Sequence, residues 1–504
     1  MPTLPELADL HDTTHGDYER LFFEGRWYRS LELSDMAKRF AGGLVSLGVR
    51  PGDRVLVMLA NGPEVGTVYG GTWRAGAAVT PVLFLLSPHE VARVVQQAEP
   101  SVVVAGPEFL PVIRQALEGA PPPLAVVTTG PAGDGLVGFP DLLEHEPLDR
   151  PVPRTEDDLA ALLFTGGTTG ASKGVMLSHG NIAFDAGAAA EAGEVGEDEV
   201  AMTALPLAHS YGILVAAVGL YVKGRGILHR WFEPFSFLQA IEEHRVTRMA
   251  VVPTMLQYLL QVPLEDHDLS SLRIVVSGAA ALPLEVAREW ERRTGSVVLE
   301  GYGCTEAMAA VTTNRPSGPR RPGSVGRPVP GVEIRIEDED GHEIPAGELG
   351  EICVRGPNVM PGYWRQPGET AAVMGGGWLH TGDIGRVDAE GFLYVVERKK
   401  DLVIRGGINV YPRDVEEILS EHPAVAMAGV VGRPDELYGE EVVAFVVRRS
   451  GSDATEDDLL AFAAERLSKP KRPKEIRFVP QLPLTPVGKV NRRELRGLLD
   501  ATRD

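Results

Sequence analysis

Residues 160–175, AALLFTGGTTGASKGV, decide how this chain is read. The first five residues form a short apolar run that predicts a buried strand. The next ten, 165–174, hold four glycines, three threonines, Ser172 and Lys173. That composition offers exposed backbone N–H groups, hydroxyl donors and one cation, the groups that a polyphosphate needs. A plain glycine turn between strands would account for the glycines but not for the lysine and the clustered hydroxyls. The loop is not a Walker A sequence. Ser172 stands where that motif needs a glycine before its lysine, and Gly174 where it needs the Mg²⁺-binding hydroxyl, which turns the reading away from kinases and GTPases.

Upstream of the loop, helical spacing over residues 31–47 follows Ser30, a plausible N-cap, and stops at Gly48. RVLVMLA (54–60), AVTPVL (78–83) and SVVVAG (101–106) read as buried strands of a parallel sheet, so the segment predicts a layered α/β architecture. The Pro- and Gly-rich run 121–138 contains the strand-like LAVVTT, and is a loop rather than a domain linker.

Downstream, ALPLAHSYGILVAAVGLYVKG (204–224) runs from a proline-broken strand through His209 and Tyr211 into an apolar helix containing Val215. On spacing alone His209 is a partly buried structural histidine. RMAVVPTMLQYLL (248–260) and LRIVVSGAAALP (272–283) are strand-then-turn units, the second ending in small residues that let a flat group lie against backbone. LEGYGCTEAMAA (299–310) brings a ring, a hydroxyl and a carboxylate together at Tyr302, Thr305 and Glu306. From about Gly326 the pattern changes to short strands and turns, among them an Asp340-Gly341 hairpin turn, and predicts a small β subdomain. Asp383 follows in a His-Thr-Gly-Asp turn and Arg398 ends a strand. The last hundred or so residues read as an α+β unit: a helix over 412–421, strands VAMAGVVG, EVVAFVVR and EIRFVP, and a helix capped by Thr455 with Asp458. Lys489 lies in the tail within a Pro-x-x-x-x-Gly-Lys pattern.

The chain of 504 residues is long enough for several cores. Its 44% hydrophobic and 24% charged content excludes wholesale disorder, and 57 glycines with 39 prolines imply many tight connections. A net charge of −21 argues against a nucleic-acid scaffold, which needs a concentrated basic surface. The opening MPTLPELADLHDTT lacks the basic flank and apolar core of a signal peptide, and no apolar run reaches the roughly 18 residues of a membrane span, so a cytoplasmic protein is expected. Cys304 and Cys353 are expected to be free thiols.

In order and spacing these segments resemble the AMP-forming acyl-CoA synthetases of the adenylate-forming superfamily, together with the adenylation domains and luciferases related to them. Residues 165–174 resemble the signature Thr-Ser-Gly-Thr-Thr-Gly-x-Pro-Lys-Gly, with Gly166 and Ser172 replacing its second residue and its proline. Residues 302–306 resemble the Tyr-Gly-x-Thr-Glu motif. The resemblance runs from about residue 31 to 495. It implies an α/β fold with a large N-terminal domain of layered α/β subdomains plus a small β subdomain over 1–397, a hinge at 398–400 about Lys400, and a small mobile α+β domain over 401–504.

The same resemblance assigns roles. Thr165, Gly166, Gly167, Thr168, Thr169, Gly170 and Lys173 would grip the phosphates of ATP. Ala279, Ala280 and Ala281, with Gly301, Tyr302 and Gly303, would face the adenine. Asp383 would take the ribose hydroxyls and Arg398 the ribose or phosphate. Glu306 would hold Mg²⁺ and Thr305 would touch the phosphate. Lys489 would be the adenylation lysine. Gly406 and Gly407 would approach the pantetheine channel of coenzyme A, and His209 would border the carboxylate.

A carboxylate is activated by attack on the α-phosphate of ATP, giving an acyl-adenylate and pyrophosphate, and a thiol then displaces AMP. The alternatives are transfer to the phosphopantetheine of an acyl carrier protein or to a partner enzyme, and a non-catalytic nucleotide-binding regulator. Small residues where the acid would lie (Ala279, Ala280, Gly301, Gly303, Ala307) beside Tyr211, Val215 and Met308, with no cation among them, predict a bulky, mainly apolar monocarboxylic acid.

Overall fold

The computed structural model describes residues 1–133, 135–165, 172–197, 199–399, 401–406, 408–435, 437–485 and 489–500. Four sheets organise it, of eight, nine, five and five strands. The apolar runs read from the sequence become the parallel centre of the first sheet, where Arg54–Met58 lies between Ala78–Pro81 and Val102–Ala105. Val55, Leu56, Val79, Val102 and Val103 are fully buried there, as expected of parallel strands covered by helices on both faces. Leu159–Thr165 joins the same sheet and turns back antiparallel into Lys173–Ser178, with Thr165 opposite Lys173. The strands on either side of the glycine-rich stretch therefore pair as a hairpin, and residues 166–171 lie outside the described residues.

The second sheet places Arg225–Leu228, Val200–Thr203, Arg248–Val251, Ile274–Ser277 and Val297–Tyr302 side by side and parallel. Its register sets Ala201 opposite Arg248, and Ala250 opposite Val276, which in turn faces Leu299. Helices His179–Ala192 and Ser210–Val218 pack against each other beside it. The third sheet is the antiparallel β unit read from the sequence, with Glu333–Glu337, Gly350–Arg355, Trp378–Val387 and Leu393–Arg398 as neighbours. Its Asp340-Gly341 turn forms, with Gly341 at φ 80°.

The last sheet is built from Val403–Arg405, Ile408–Val410, Val425–Asp435 and Gly439–Arg448, joined in parallel by Glu475–Phe478. Helices Pro412–Ser420, Glu456–Arg466 and Arg492–Asp500 accompany it. Thr455 and Asp458 cap the middle helix reciprocally, at 2.8 and 3.2 Å. At the first predicted helix the cap differs. Ser30 is its first residue rather than its N-cap, because the Ser30 hydroxyl donates to the Gly16 carbonyl and accepts from the Tyr18 N–H. Cys304 and Cys353 are free, and among the described residues no helix is long and apolar enough to cross a membrane.

Candidate active site

A cavity of about 1490 Å³ opens where the carboxyl ends of both parallel sheets meet the β unit and the C-terminal tail. Loops after parallel strands are where an open α/β sheet leaves room for a ligand. At one end, the turn 277–281 follows Ile274–Ser277, and Ala279, Ala280 and Ala281 line the cavity. Ala279 holds φ at 70°, a left-handed backbone that stores strain in a residue with a Cβ. The buried Ser277 hydroxyl beside it has no hydrogen-bond partner among the described residues.

Tyr302 ends the neighbouring strand, and its hydroxyl donates to Asp383 Oδ2 at 2.7 Å. Arg398 Nε donates to Asp383 Oδ1 at 3.0 Å, because the two residues stand opposite each other on paired antiparallel strands. Burial, then the Asp383 charge, raises the Tyr302 phenol well above its ordinary value, so it stays a donor. Gly301 and Gly303 also line the cavity. At Gly303 a Cβ would stand 1.7 Å from the Ala309 carbonyl oxygen, so the chain can fold back there only with glycine.

Further along, the short turn Thr305–Ala307 presents Thr305, whose hydroxyl lies 3.4 Å from that of Ser210, and Glu306, whose Oε1 accepts from the Tyr363 hydroxyl at 2.9 Å. Lys173 lies 4.9 Å above the Tyr363 ring and is ion-paired with Glu369. Thr165 lines the cavity, and the Ser172 hydroxyl donates to its carbonyl at 3.0 Å. Glu306 leaves Oε2 unengaged by any described residue. The clusters of three possible metal ligands, Glu337, Cys353, His380 and Asp338, Asp340, His342, lie elsewhere. A single carboxylate on the cavity wall, outside any cluster of three ligands among the described residues, fits Mg²⁺, which keeps few protein ligands and shares substrate phosphates.

Lys489 enters from the C-terminal tail. Its N–H donates to the Thr485 hydroxyl at 3.1 Å, and Arg492, three residues on, is tied to Glu416 and Glu397 at 2.9 and 3.2 Å. Burial, then the Arg398 charge, pushes the Lys489 ammonium down to about 8. His209 caps the helix Ser210–Val218, with Nδ1 accepting the Tyr211 N–H at 3.2 Å, which leaves the proton on Nε2. Burial, then the Lys489 charge, pushes it down to about 3, so it is a neutral wall at physiological pH.

The other arm of the cavity runs between that helix and the face of the second sheet. Tyr211, Leu214, Val215 and Val218 form one side and Ala201, Ala250 and Val276 the other. The Tyr211 hydroxyl donates to the Val276 carbonyl at 3.1 Å, which sets its ring against Gly278.

Two expectations need correction. Ala307 and Met308 do not line this arm; both are fully buried in the core. The cause is Asp185 on helix His179–Ala192, which accepts from the Ala309 and Ala310 N–H groups at 3.1 and 2.9 Å and pulls the chain inward, leaving Met308 at φ 58°. The arm is also not free of cations, since Arg248 lies at its inner end. Gly406, expected at the pantetheine channel only in the thioester step, stands on an exposed hairpin away from the cavity in this arrangement with Lys489 in the site, beside exposed Ile404, Ile408 and Tyr438. Gly166, Gly167, Thr168, Thr169, Gly170, Lys400 and Gly407 lie outside the described residues.

Sequence reading missed Tyr363, Asp185 and Arg248. Tyr363 reaches Glu306 only because residues 362–363 pair with 175–176, a contact with no local signal. A single charged residue on a strand or helix likewise looks like surface until tertiary packing buries it.

The family model for AMP-binding enzymes matches residues 9–364, and that for their C-terminal domain residues 414–489. The chain is 38% identical to a long-chain-fatty-acid–CoA ligase of Bacillus subtilis, covering 95% of this chain and 91% of the relative. It is 37% identical to a feruloyl-CoA synthase of Amycolatopsis, covering 92% of each. The solved structure of ATP-bound MatB from Rhodopseudomonas palustris superposes over 100% of both chains with a TM-score of 0.91 at 36% identity.

Proposed function

The chain belongs to the AMP-binding enzyme family, an acyl-CoA ligase that uses ATP, Mg²⁺ and coenzyme A and works through an acyl-adenylate, and from that premise we propose that its acid is a bulky, mainly apolar monocarboxylate. The observation that carries this is the arm floored by Ala201 and Ala250. Both are alanines on central strands, where larger β-branched residues would close the space. Two of the relatives are named for a long-chain fatty acid and a feruloyl group, both bulky.

Within this reading Asp383 accepts the ribose hydroxyls, held in place by the Tyr302 phenol and the Arg398 guanidinium. The flat turn 277–281 takes the adenine. Glu306 and Thr305 face the phosphates, and the Tyr363 hydroxyl fixes the Glu306 carboxylate so that its free oxygen points one way. Bound at Glu306, Mg²⁺ supplies charge neutralisation for the phosphates. Lys489 meets the negative charge that develops as the acid's oxygen attacks the α-phosphate, in a site dry enough to depress its own pKa. His209, neutral, borders the acid's carboxylate without competing for it.

The thiol step needs other surroundings. The domain boundary falls after 397, residues 398–400 are the hinge, and rotation about them withdraws Lys489 and brings the exposed hairpin at Gly406 to the cavity, where its apolar neighbours Ile404 and Ile408 become covered. Lys173, now paired with Glu369, turns to the phosphates when ATP binds.

A panel of monocarboxylic acids, short and bulky, assayed for acid-dependent pyrophosphate release with and without coenzyme A, tests the reading. Higher kcat/KM for bulky acids supports it. Equal or better use of acetate or malonate overturns it. Thioester formed only with a carrier protein would move the acceptor from coenzyme A to that partner.

A further inference from the structure

The inner end of the acyl arm is not apolar. Arg248 opens the central strand Arg248–Val251, and its side chain, only 9% exposed, closes the arm beside Gly193, Val195 and Ala201. It is held rigidly: Nε donates to Glu199 Oε2 at 2.6 Å, and Nη2 to Glu199 Oε1 at 3.1 Å and to the Gly193 carbonyl at 2.8 Å. Nη1 makes no hydrogen bond among the described residues. Arg248 lines the cavity and Glu199 does not, so the one guanidinium nitrogen without a described partner, Nη1, belongs to a fixed fork whose charge is already balanced. Arg273 reaches the same carboxylate at 3.9 Å, but from the solvent side, 64% exposed and screened by water.

Depth fixes which part of a substrate meets this fork. Arg248 is level with Ile274, and the adenine turn begins at Ser277, three residues along the adjacent strand, or roughly 10 Å at about 3.3 Å per residue. An acid whose carboxylate lies at the nucleotide end and whose body fills the arm therefore brings its far end to Arg248. A buried donor facing only hydrocarbon is left unpaired, which disfavours a purely aliphatic tail. A second carboxylate would place two anions against one buried cation.

We propose that Arg248 is a specificity-determining residue whose Nη1 donates to an uncharged oxygen acceptor, a ring carbonyl, ether or hydroxyl, at the end of the acyl group remote from the carboxylate. The inference rests on the bulky-acid reading and narrows it to acids with an apolar body and one polar oxygen at the far end.

The test is a matched pair of fused-ring monocarboxylic acids, alike except that one carries a ketone on the distal ring where the other has a methylene, with the corresponding distal carboxylate as a third member. Pyrophosphate release is followed for each. The ketone acid is expected to have at least ten-fold higher kcat/KM than the methylene acid and than the diacid. In the double variant Arg248→Met, Glu199→Gln, which removes the cation without stranding its partner, the ketone-to-methylene ratio should fall to about one. Equal use of the two acids by the parent enzyme overturns the inference even if the double variant does not fold, and so does a ratio that survives the substitutions or a preference for the diacid. If acetate is activated and neither bulky acid is, the bulky-acid reading itself fails, and this inference with it.

Discussion

Replacing Ala250 by Leu probes the acyl arm at a small residue of its sheet face. Ala250 sits in the middle of Arg248–Val251, paired on one side with Thr203 and on the other with Val276, so the backbone at this point is held by both neighbours and cannot retreat. Its side chain lines the cavity. Leucine adds three carbons to that side chain, and a substrate that fills the arm must surrender about the same volume. At about 0.8 kcal/mol for each buried methylene-sized group, the lost contacts come to ~2.4 kcal/mol, or a fall in kcat/KM of about 60-fold. An acid of two or three carbons never reaches this depth and should be used as before. The assay is acid-dependent pyrophosphate release for a bulky and a short acid, with thermal unfolding to confirm that the variant is folded. Equal losses for both acids would mean that the substitution acts on the nucleotide site. No loss for the bulky acid would mean that the acid does not lie along this face of the sheet.

Lys489→Ala should lower adenylate formation by about 10²–10³-fold while sparing conversion of a supplied acyl-adenylate to thioester, measured as two separate half-reactions; parallel losses would remove its assigned role. Because the Lys489 ammonium titrates at about 8, it is charged below that pH and neutral above it, so kcat/KM for adenylation should fall as pH rises through 8 in the parent enzyme, and Lys489→Arg should lose that limb. Lys400→Pro, which stiffens the proposed hinge, should slow the thioester step and leave pyrophosphate release intact; an unchanged thioester rate from supplied adenylate would place the pivot elsewhere. Burial raises the Asp185 carboxyl from 3.8 to about 8, so the folded protein keeps a proton that the unfolded chain loses, and this group's contribution to stability declines as pH rises from about 4 through 8. Asp185→Asn keeps an acceptor for the Ala309 and Ala310 N–H groups and removes the titration, but turns an N–H toward the Asn358 Nδ2 that donates to Asp185 Oδ1 at 3.3 Å, so its melting temperature relative to the parent's should be higher at pH 8 than at pH 5, and a constant difference would refute the assignment.

The sequence by itself determined the order of the architecture and the chemistry on offer. Runs such as RVLVMLA are buried on both faces and too short for a core helix, so they had to be strands of a covered parallel sheet. Glycines beside Lys173, Tyr302, Glu306 and Lys489 are local signals whose spacing survives in the chain. Only the tertiary structure decided what those groups meet. Asp383 and Arg398 are fifteen residues apart and touch because two antiparallel strands set them opposite each other. Tyr363 orients Glu306 through an edge strand 57 residues away. Met308 reads as pocket lining but is drawn into the core by Asp185, 123 residues earlier, and Arg248 reads as surface but closes the pocket. Local sequence carries propensity and periodicity, which act over a few residues. Burial and pairing of a polar side chain depend on which distant elements pack around it, and for Arg248 it is the register between Val200–Thr203 and Arg248–Val251, with Glu199 just before the first of these strands, that turns an ordinary cation into the end of a binding site.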